Sequence, residues 1–171
     1  MEKDLLELLK KMLYSDPEKK KGREGLEVDQ IEPDSPHGIY VYDFNKEKWI
    51  LRQVSGEPQL PWGDGYYAIY FDNAKCPACR SYDNYWYPFV KLFGKLFSNV
   101  NYVVVLCDWF SRECYSEAAS GAFKKFDVHA SPTTIFLSVN GGEVKGKNEV
   151  SGVKKIDELL SLLTDFIQKH R

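Results

Sequence analysis

A continuous apolar run, Tyr66 to Phe71, leads within a few residues into Cys76-Pro77-Ala78-Cys79, and a stripe of aromatics at helical spacing follows at once. Few chain arrangements accept that order. The run suits a strand buried on both faces, as in the middle of a sheet. Tyr82, Tyr85, Trp86, Phe89, Phe93, Leu96 and Phe97 then mark one face of a helix that starts at the cysteine pair, with Pro88 expected to kink it. Cys76 therefore falls at a helix start, where unpaired N–H groups and the helix dipole favour negative charge and lower a thiol's pKa. Pro77 suits the first helical position, since its missing N–H loses nothing there. Cys79 shares the helical face of Cys76. Lys75 and Ala78 complete the surroundings of the nucleophile, with Lys75 adding a positive charge. The chemistry this suits is thiol–disulfide exchange, with Cys76 attacking and Cys79 resolving the mixed disulfide.

The same alternation continues downstream. Tyr102 to Leu106 reads as a second buried strand and 112–126 as a helix. Thr133 to Val139 reads as a strand that turns at Asn140-Gly141-Gly142 into a short partner, Glu143 to Lys147. Ile156, Leu159, Leu160, Leu163, Phe166 and Ile167 line one face of a last helix. Strand, helix, strand, helix, strand, strand, helix predicts a sheet whose first half is parallel, with crossover helices, and whose closing hairpin adds an antiparallel edge.

Upstream, Leu5, Leu6, Leu9, Met12 and Leu13 follow an amphipathic stripe that Ser15-Asp16-Pro17 ends. The favoured reading packs this helix on its own domain; a docking or dimer helix is the sharper one. Residues 16–36, rich in Lys and acid, read as a linker or mobile loop. Ile39 to Phe44 and Trp49 to Val54 read as a hairpin about Asn45-Lys46-Glu47-Lys48. The chain is thus divided into 1–36, a helix and linker, and 37–171, the domain proper.

Bulk properties exclude several classes. A hydrophobic share of 43%, with aromatics at 15%, supplies a globular core, and a net charge of −2 gives no sign of a nucleic-acid partner. No apolar run approaches the roughly 20 residues that span a bilayer. Met1-Glu2-Lys3-Asp4 is not a secretory n-region, so a cytoplasmic location is expected.

Two structural alternatives stand beside exchange. Zinc bound by Cys76, Cys79, Cys107 and Cys114 is one, although the Cys107/Cys114 spacing matches no common finger, knuckle or ribbon. A redox-inactive binding module is the other. For Cys107 and Cys114 three states are open: buried free thiols, a structural disulfide, or a second redox pair passing electrons to the first. His129 is expected near the site, exposed or hydrogen-bonded, and Trp62 in the core; His37 and His170 carry no signal.

Tyr67-Ala68-Ile69-Tyr70-Phe71 running into Cys76-Pro77-Ala78-Cys79 resembles the catalytic strand and helix of thioredoxin-like proteins. Phe126 to Leu137, containing Ala130-Ser131-Pro132-Thr133, resembles that family's cis-proline segment and the strand after it, and Gly152 also has a counterpart. The resemblance covers about residues 60–170. It implies a three-layer α/β thioredoxin-like fold, a mixed central sheet flanked by helices, here with an N-terminal helix and β-hairpin extension. It implies that Pro132 is cis beside the cysteine pair, that the Ser131 backbone and Pro132 guide a substrate strand, and that metal is kept from the thiols. Protein disulfides are the implied substrates, with a dithiol or reductase as electron donor and no cofactor. Three departures stand out. Pro77-Ala78 replaces the Gly-Pro of thioredoxins proper and is more like the spacer of glutaredoxins and periplasmic oxidases. Tyr70 occupies the position where many relatives bury an acid serving the second cysteine, with Asp72 on the same strand face if the strand extends that far. The N-terminal 60 residues are unlike the family's opening strand and helix.

Overall fold

The computed structural model describes residues 2–14 and 18–171. Chain order is α1 (Glu2–Tyr14), β1 (Glu27–Val28), β2 (Gly38–Asp43), β3 (Lys48–Gln53), β4 (Gly65–Asn73), α2 (Pro77–Phe93), a 3-10 turn (Gly94–Leu96), β5 (Val100–Cys107), α3 (Glu117–Lys125), β6 (Thr133–Asn140), β7 (Glu143–Ser151) and α4 (Ile156–Lys169). The strands form one seven-stranded mixed sheet in the order β1-β3-β2-β5-β4-β6-β7. Only β4 and β5 pair in parallel, joined by the α2 crossover; the remaining neighbours are antiparallel.

Alternation along the central strands builds two cores. Ala68, Tyr70, Tyr102, Val104 and Leu106 face one way, under Trp86 and Phe89 of α2 and Leu159, Leu163 and Phe166 of α4. Tyr67, Ile69, Phe71, Val103 and Val105 face the other way, under Ala118, Ala122 and Phe123 of α3. This is the three-layer α/β architecture, with β4 buried on both faces as its run of apolar residues requires. The helix α2 passes through Pro88 and continues to Phe93.

The N-terminal hairpin extends the sheet. β2 adds to the outer edge of β5 in antiparallel sense, and Trp49 and Leu51 of β3 join the core under α2. Residues 16–36 read as a linker or mobile loop, of which 18–36 are described. Instead they lie against the sheet: Ile31 is buried, β1 pairs with β3, and Lys20 is buried against Asp108. The expected helix end at Ser15-Asp16-Pro17 lies outside the described residues. The stripe on α1 was expected to pack on its own domain, yet Leu5, Leu6, Leu8 and Leu9 are all exposed.

The start of α3 and the end of β7 differ from the sequence reading. The helix expected over 112–126 begins only at Glu117, with Ser116 Oγ accepting from the Ala119 amide as its cap. The residues before it close back on themselves, with Asp108 N and Trp109 N both donating to the Glu113 carbonyl, so they are unavailable to a helix. β7 reaches Ser151 rather than stopping at Lys147, because β6 offers it pairing partners as far as Thr133. The turn between them needs left-handed backbone at both Gly141 (φ 62°) and Gly142 (φ 76°), and Asp64 accepts both their amides.

Candidate active site

β4 delivers the chain to the start of α2, and Cys76 is the residue that caps that helix. Its backbone is extended (φ −96°, ψ 116°) and its Sγ accepts from the Cys79 amide at 3.4 Å, while Pro77 takes the first turn. A sulfur in the N-cap position serves unsatisfied amides that a thiolate satisfies better than a thiol. Burial opposes ionisation of Cys76. Hydrogen bonds from Ser131, from the Cys79 amide and thiol and from the Ala78 amide outweigh it and hold the thiol below its ordinary value.

Cys79 has the opposite environment. It is fully buried, while Cys76 retains 6% exposure. Burial first, then the charge of Asp72, push the Cys79 thiol well up. The pair is thus divided into a helix-capping sulfur whose thiol is held down and a fully buried one whose thiol is pushed up.

The cis-proline loop closes over this pair. The Ser131–Pro132 peptide is cis. Ser131 Oγ lies 2.9 Å from Cys79 Sγ, and Cys76 Sγ donates a long contact of 3.8 Å to the Ser131 carbonyl. Lys75 Nζ lies 3.5 Å from Glu113 on the loop that follows β5.

Beneath Cys79 lies a buried charged group that the sequence had hinted at only through Asp72. β4 does extend far enough to carry Asp72 on the face of Tyr70. Asp72 Oδ1 accepts from Arg80 Nη2 at 2.7 Å, and Oδ2 has no hydrogen-bond partner among the described residues. Arg80 also donates through Nε to Asp83 at 3.0 Å. Tyr70 donates to Asp83 Oδ1 at 2.9 Å and lies 3.0 Å from the Cys79 carbonyl. One guanidinium therefore serves two carboxyls. Burial raises Asp72, against the pull of Arg80. Burial and then the Asp72 charge raise Asp83 to about 7. Sequence reading missed Arg80 and Asp83. Their signal was an i, i+3 opposite-charge pair on the helix face that also carries the buried Tyr87.

Asn73, fully buried at the end of β4, was also missed. Its Oδ1 accepts from the Phe110 amide at 2.6 Å and its Nδ2 donates to Ser131 Oγ at 2.9 Å, bridging two loops that no local pattern connects.

Cys107 and Cys114 form a disulfide. Cys107 belongs to the core under α3, whereas Cys76 and Cys79 belong to the core under α2. The four cysteines do not converge, which removes the four-cysteine zinc site, and the free-thiol reading of Cys107 and Cys114 gives way to the disulfide. His129 is exposed and pairs with Asp127 at 2.5 Å. Trp62 packs partly buried against the α3-side core, beneath the Arg52 guanidinium. His37, which had carried no signal, is fully buried and bonded to Asp108. Among the described residues no helix is long and apolar enough to cross a membrane.

No protein-family model matches the sequence, and no curated protein matches it. Solved structures do. The thioredoxin of Aeropyrum pernix aligns with 78% of this chain and 97% of its own, at TM-score 0.52 and 14% identity. Thioredoxin O2 from Arabidopsis thaliana in the oxidized state aligns with 66% of this chain and 91% of its own, at TM-score 0.44 and 23% identity. Trichomonas vaginalis thioredoxin aligns with 70% and 97%, at TM-score 0.46 and 15% identity. The first of these likenesses shows the fold that the two chains share.

Proposed function

We propose that this chain, which has the thioredoxin-like fold, is a protein thiol–disulfide oxidoreductase working through Cys76 and Cys79. The observation that supports it is the asymmetry of the pair: Cys76 Sγ caps α2 and its thiol is held below the ordinary value, while Cys79 is fully buried and its thiol is pushed up by burial and Asp72. An exchange catalyst needs that division of labour.

The Cys76 thiolate attacks one sulfur of a substrate disulfide. The substrate S–S bond breaks, a mixed disulfide forms at Cys76, and the first substrate sulfur leaves as a thiolate that takes a proton from solvent. Cys79 then loses its proton to a base, and its thiolate attacks Cys76 Sγ. The Cys76–Cys79 bond forms, the mixed disulfide breaks, and the second substrate thiolate leaves. Two electrons pass to the substrate, and a dithiol donor in the cytosol restores the pair. Asp72 is the base this reading assigns, since its Oδ2 is unpartnered and its charge acts on Cys79. The backbone at Ser131 and Pro132 offers a substrate strand short β-type pairing. Lys75, Pro77 and Ala78 set the helix entry. The relative reduction potentials of the partners decide which way electrons run.

The test is trapping. With a peptide disulfide as substrate, Cys79→Ser should accumulate a mixed disulfide at Cys76, seen as added mass, and Cys76→Ser should form none. Full turnover by both single variants overturns the reading.

A further inference from the structure

The direction of the hydrogen bonds around Ser131 follows from one backbone amide. The Phe110 N–H can only donate, so the Asn73 atom facing it at 2.6 Å must be the carbonyl Oδ1. That fixes the flip of the amide and turns Nδ2, which can only donate, toward Ser131 Oγ at 2.9 Å. Ser131 Oγ accepts there, and its own proton is free for a sulfur. Cys79 Sγ lies 2.9 Å away, and Ser131 is also the first of the causes that lower the Cys76 thiol. During resolution Cys76 is tied up in the mixed disulfide and carries no charge. The hydroxyl then has one anionic sulfur left to serve, that of Cys79.

We infer that Ser131 Oγ–H donates to the Cys79 thiolate as it attacks Cys76, and that Asn73, held by the Phe110 amide, is the positioning residue that keeps this hydroxyl in its donor sense. The role goes beyond the backbone pairing assigned to Ser131 above and rests on the exchange reading. In the reverse direction the same donor stabilises Cys79 as the leaving group when the Cys76–Cys79 bond is attacked. No proton is transferred in either case: the hydroxyl shares its hydrogen with a sulfur whose negative charge grows or disappears as the S–S bond breaks or forms. The Asn73 side chain reaches Cys79 through Ser131 and Asp72 reaches it through its charge, so the two side chains act by different routes.

Dithiobis-nitrobenzoate separates the two steps, because attack by Cys76 releases one coloured thiolate and resolution by Cys79 releases a second. Ser131→Ala should slow the second release about tenfold more than the first, the size expected for a lost hydrogen bond to a charged group. Ser131→Thr, which keeps the hydroxyl, should restore it. Asn73→Asp has the same shape, still accepts the Phe110 amide, and presents a second acceptor to Ser131, so the hydroxyl turns away from Cys79. It should slow the second release by a similar factor and move that step's pH midpoint upward. In a Ser131→Ala background Asn73→Asp should add nothing. The inference is overturned if Ser131→Ala resolves at the wild-type rate. It is also overturned if Asn73→Asp slows the step equally without Ser131, which would make its effect a through-space charge. If Asn73→Asp does not fold, the Ala and Thr variants at 131 decide alone. Absence of any second release from the wild-type protein instead overturns the exchange reading itself.

Discussion

Cys107 is the register partner of Asn73 across the parallel β4–β5 ladder, beside the end of the site strand, yet its sulfur enters the core on the opposite face of the sheet from Cys76 and Cys79. The Cys107–Cys114 bond closes a short loop whose backbone accepts the amides of Ala74 and Lys75. It is therefore placed to brace the site rather than to exchange with it. Closing a loop of this size contributes about 2 kcal/mol by the chain-entropy relation. A Cys107→Ala/Cys114→Ala variant should lose about that much in urea unfolding and still complete exchange at Cys76 and Cys79. Loss of exchange in a folded double variant would instead favour a second redox pair passing electrons to the first.

Asp72→Asn separates charge from basicity at Cys79. Removing the carboxylate removes the second cause that pushes the Cys79 thiol up, so that thiol should ionise more easily. The same change removes the proposed proton acceptor, and general-base contributions are of order 10²-fold or more. Resolution at neutral pH should therefore slow by about that factor, even though the thiol pKa falls. A resolution rate that follows the thiol pKa alone would dismiss Asp72 as the base.

Asp83 makes the fold less stable as the pH rises. Its folded carboxyl is raised to about 7 by burial and by Asp72, above the ordinary value near 3.9. Between those values the unfolded chain has already released this proton while the folded chain holds it. Its effect on stability thus declines as pH rises from about 4 through about 7. Asp83→Asn should shrink the difference between urea midpoints measured at about pH 5 and about pH 8. An unchanged difference would place the titration elsewhere.

What was legible in the sequence is what depends on neighbours along the chain. The apolar run of β4, the capping of α2 by Cys76 and the Gly141-Gly142 turn are local, and each was found where expected. The overextended third helix failed because the disulfide and the Glu113 carbonyl hold residues 108–114 in a closed loop. β7 was cut short because its exposed lysines and acids look like loop until β6 is present to pair with them. Asn73 with Ser131, and Lys20 with Asp108, are contacts between residues 58 and 88 apart in sequence, which no periodicity announces.

The loop bracing the site is itself held by a buried charge, which gives an acid-sensitive prediction. Asp108 Oδ1 accepts from Lys20 Nζ at 2.5 Å and from His37 Nε2 at 3.2 Å. The Tyr115 amide donates to His37 Nδ1 at 3.0 Å, so the ring proton resides on Nε2, facing Asp108. Burial alone would raise the Asp108 carboxyl, but the hydrogen bonds from His37 and Lys20 prevail and lower it to about 2. A depressed carboxyl contributes its stability in full above its unfolded value near 3.9 and loses it as pH falls through about 2. Asp108→Asn leaves the Lys20 ammonium buried without its counter-charge, at a cost of about 3 kcal/mol at neutral pH. The Asp108 carbonyl also accepts the Lys75 amide, beside Cys76, so the variant should loosen the site as well. Urea midpoints taken from neutral pH down to about pH 2 should start lower than those of the wild type and fall less steeply below about pH 4. A variant whose acid limb keeps the wild-type slope would show that Asp108 is not the group protonated there.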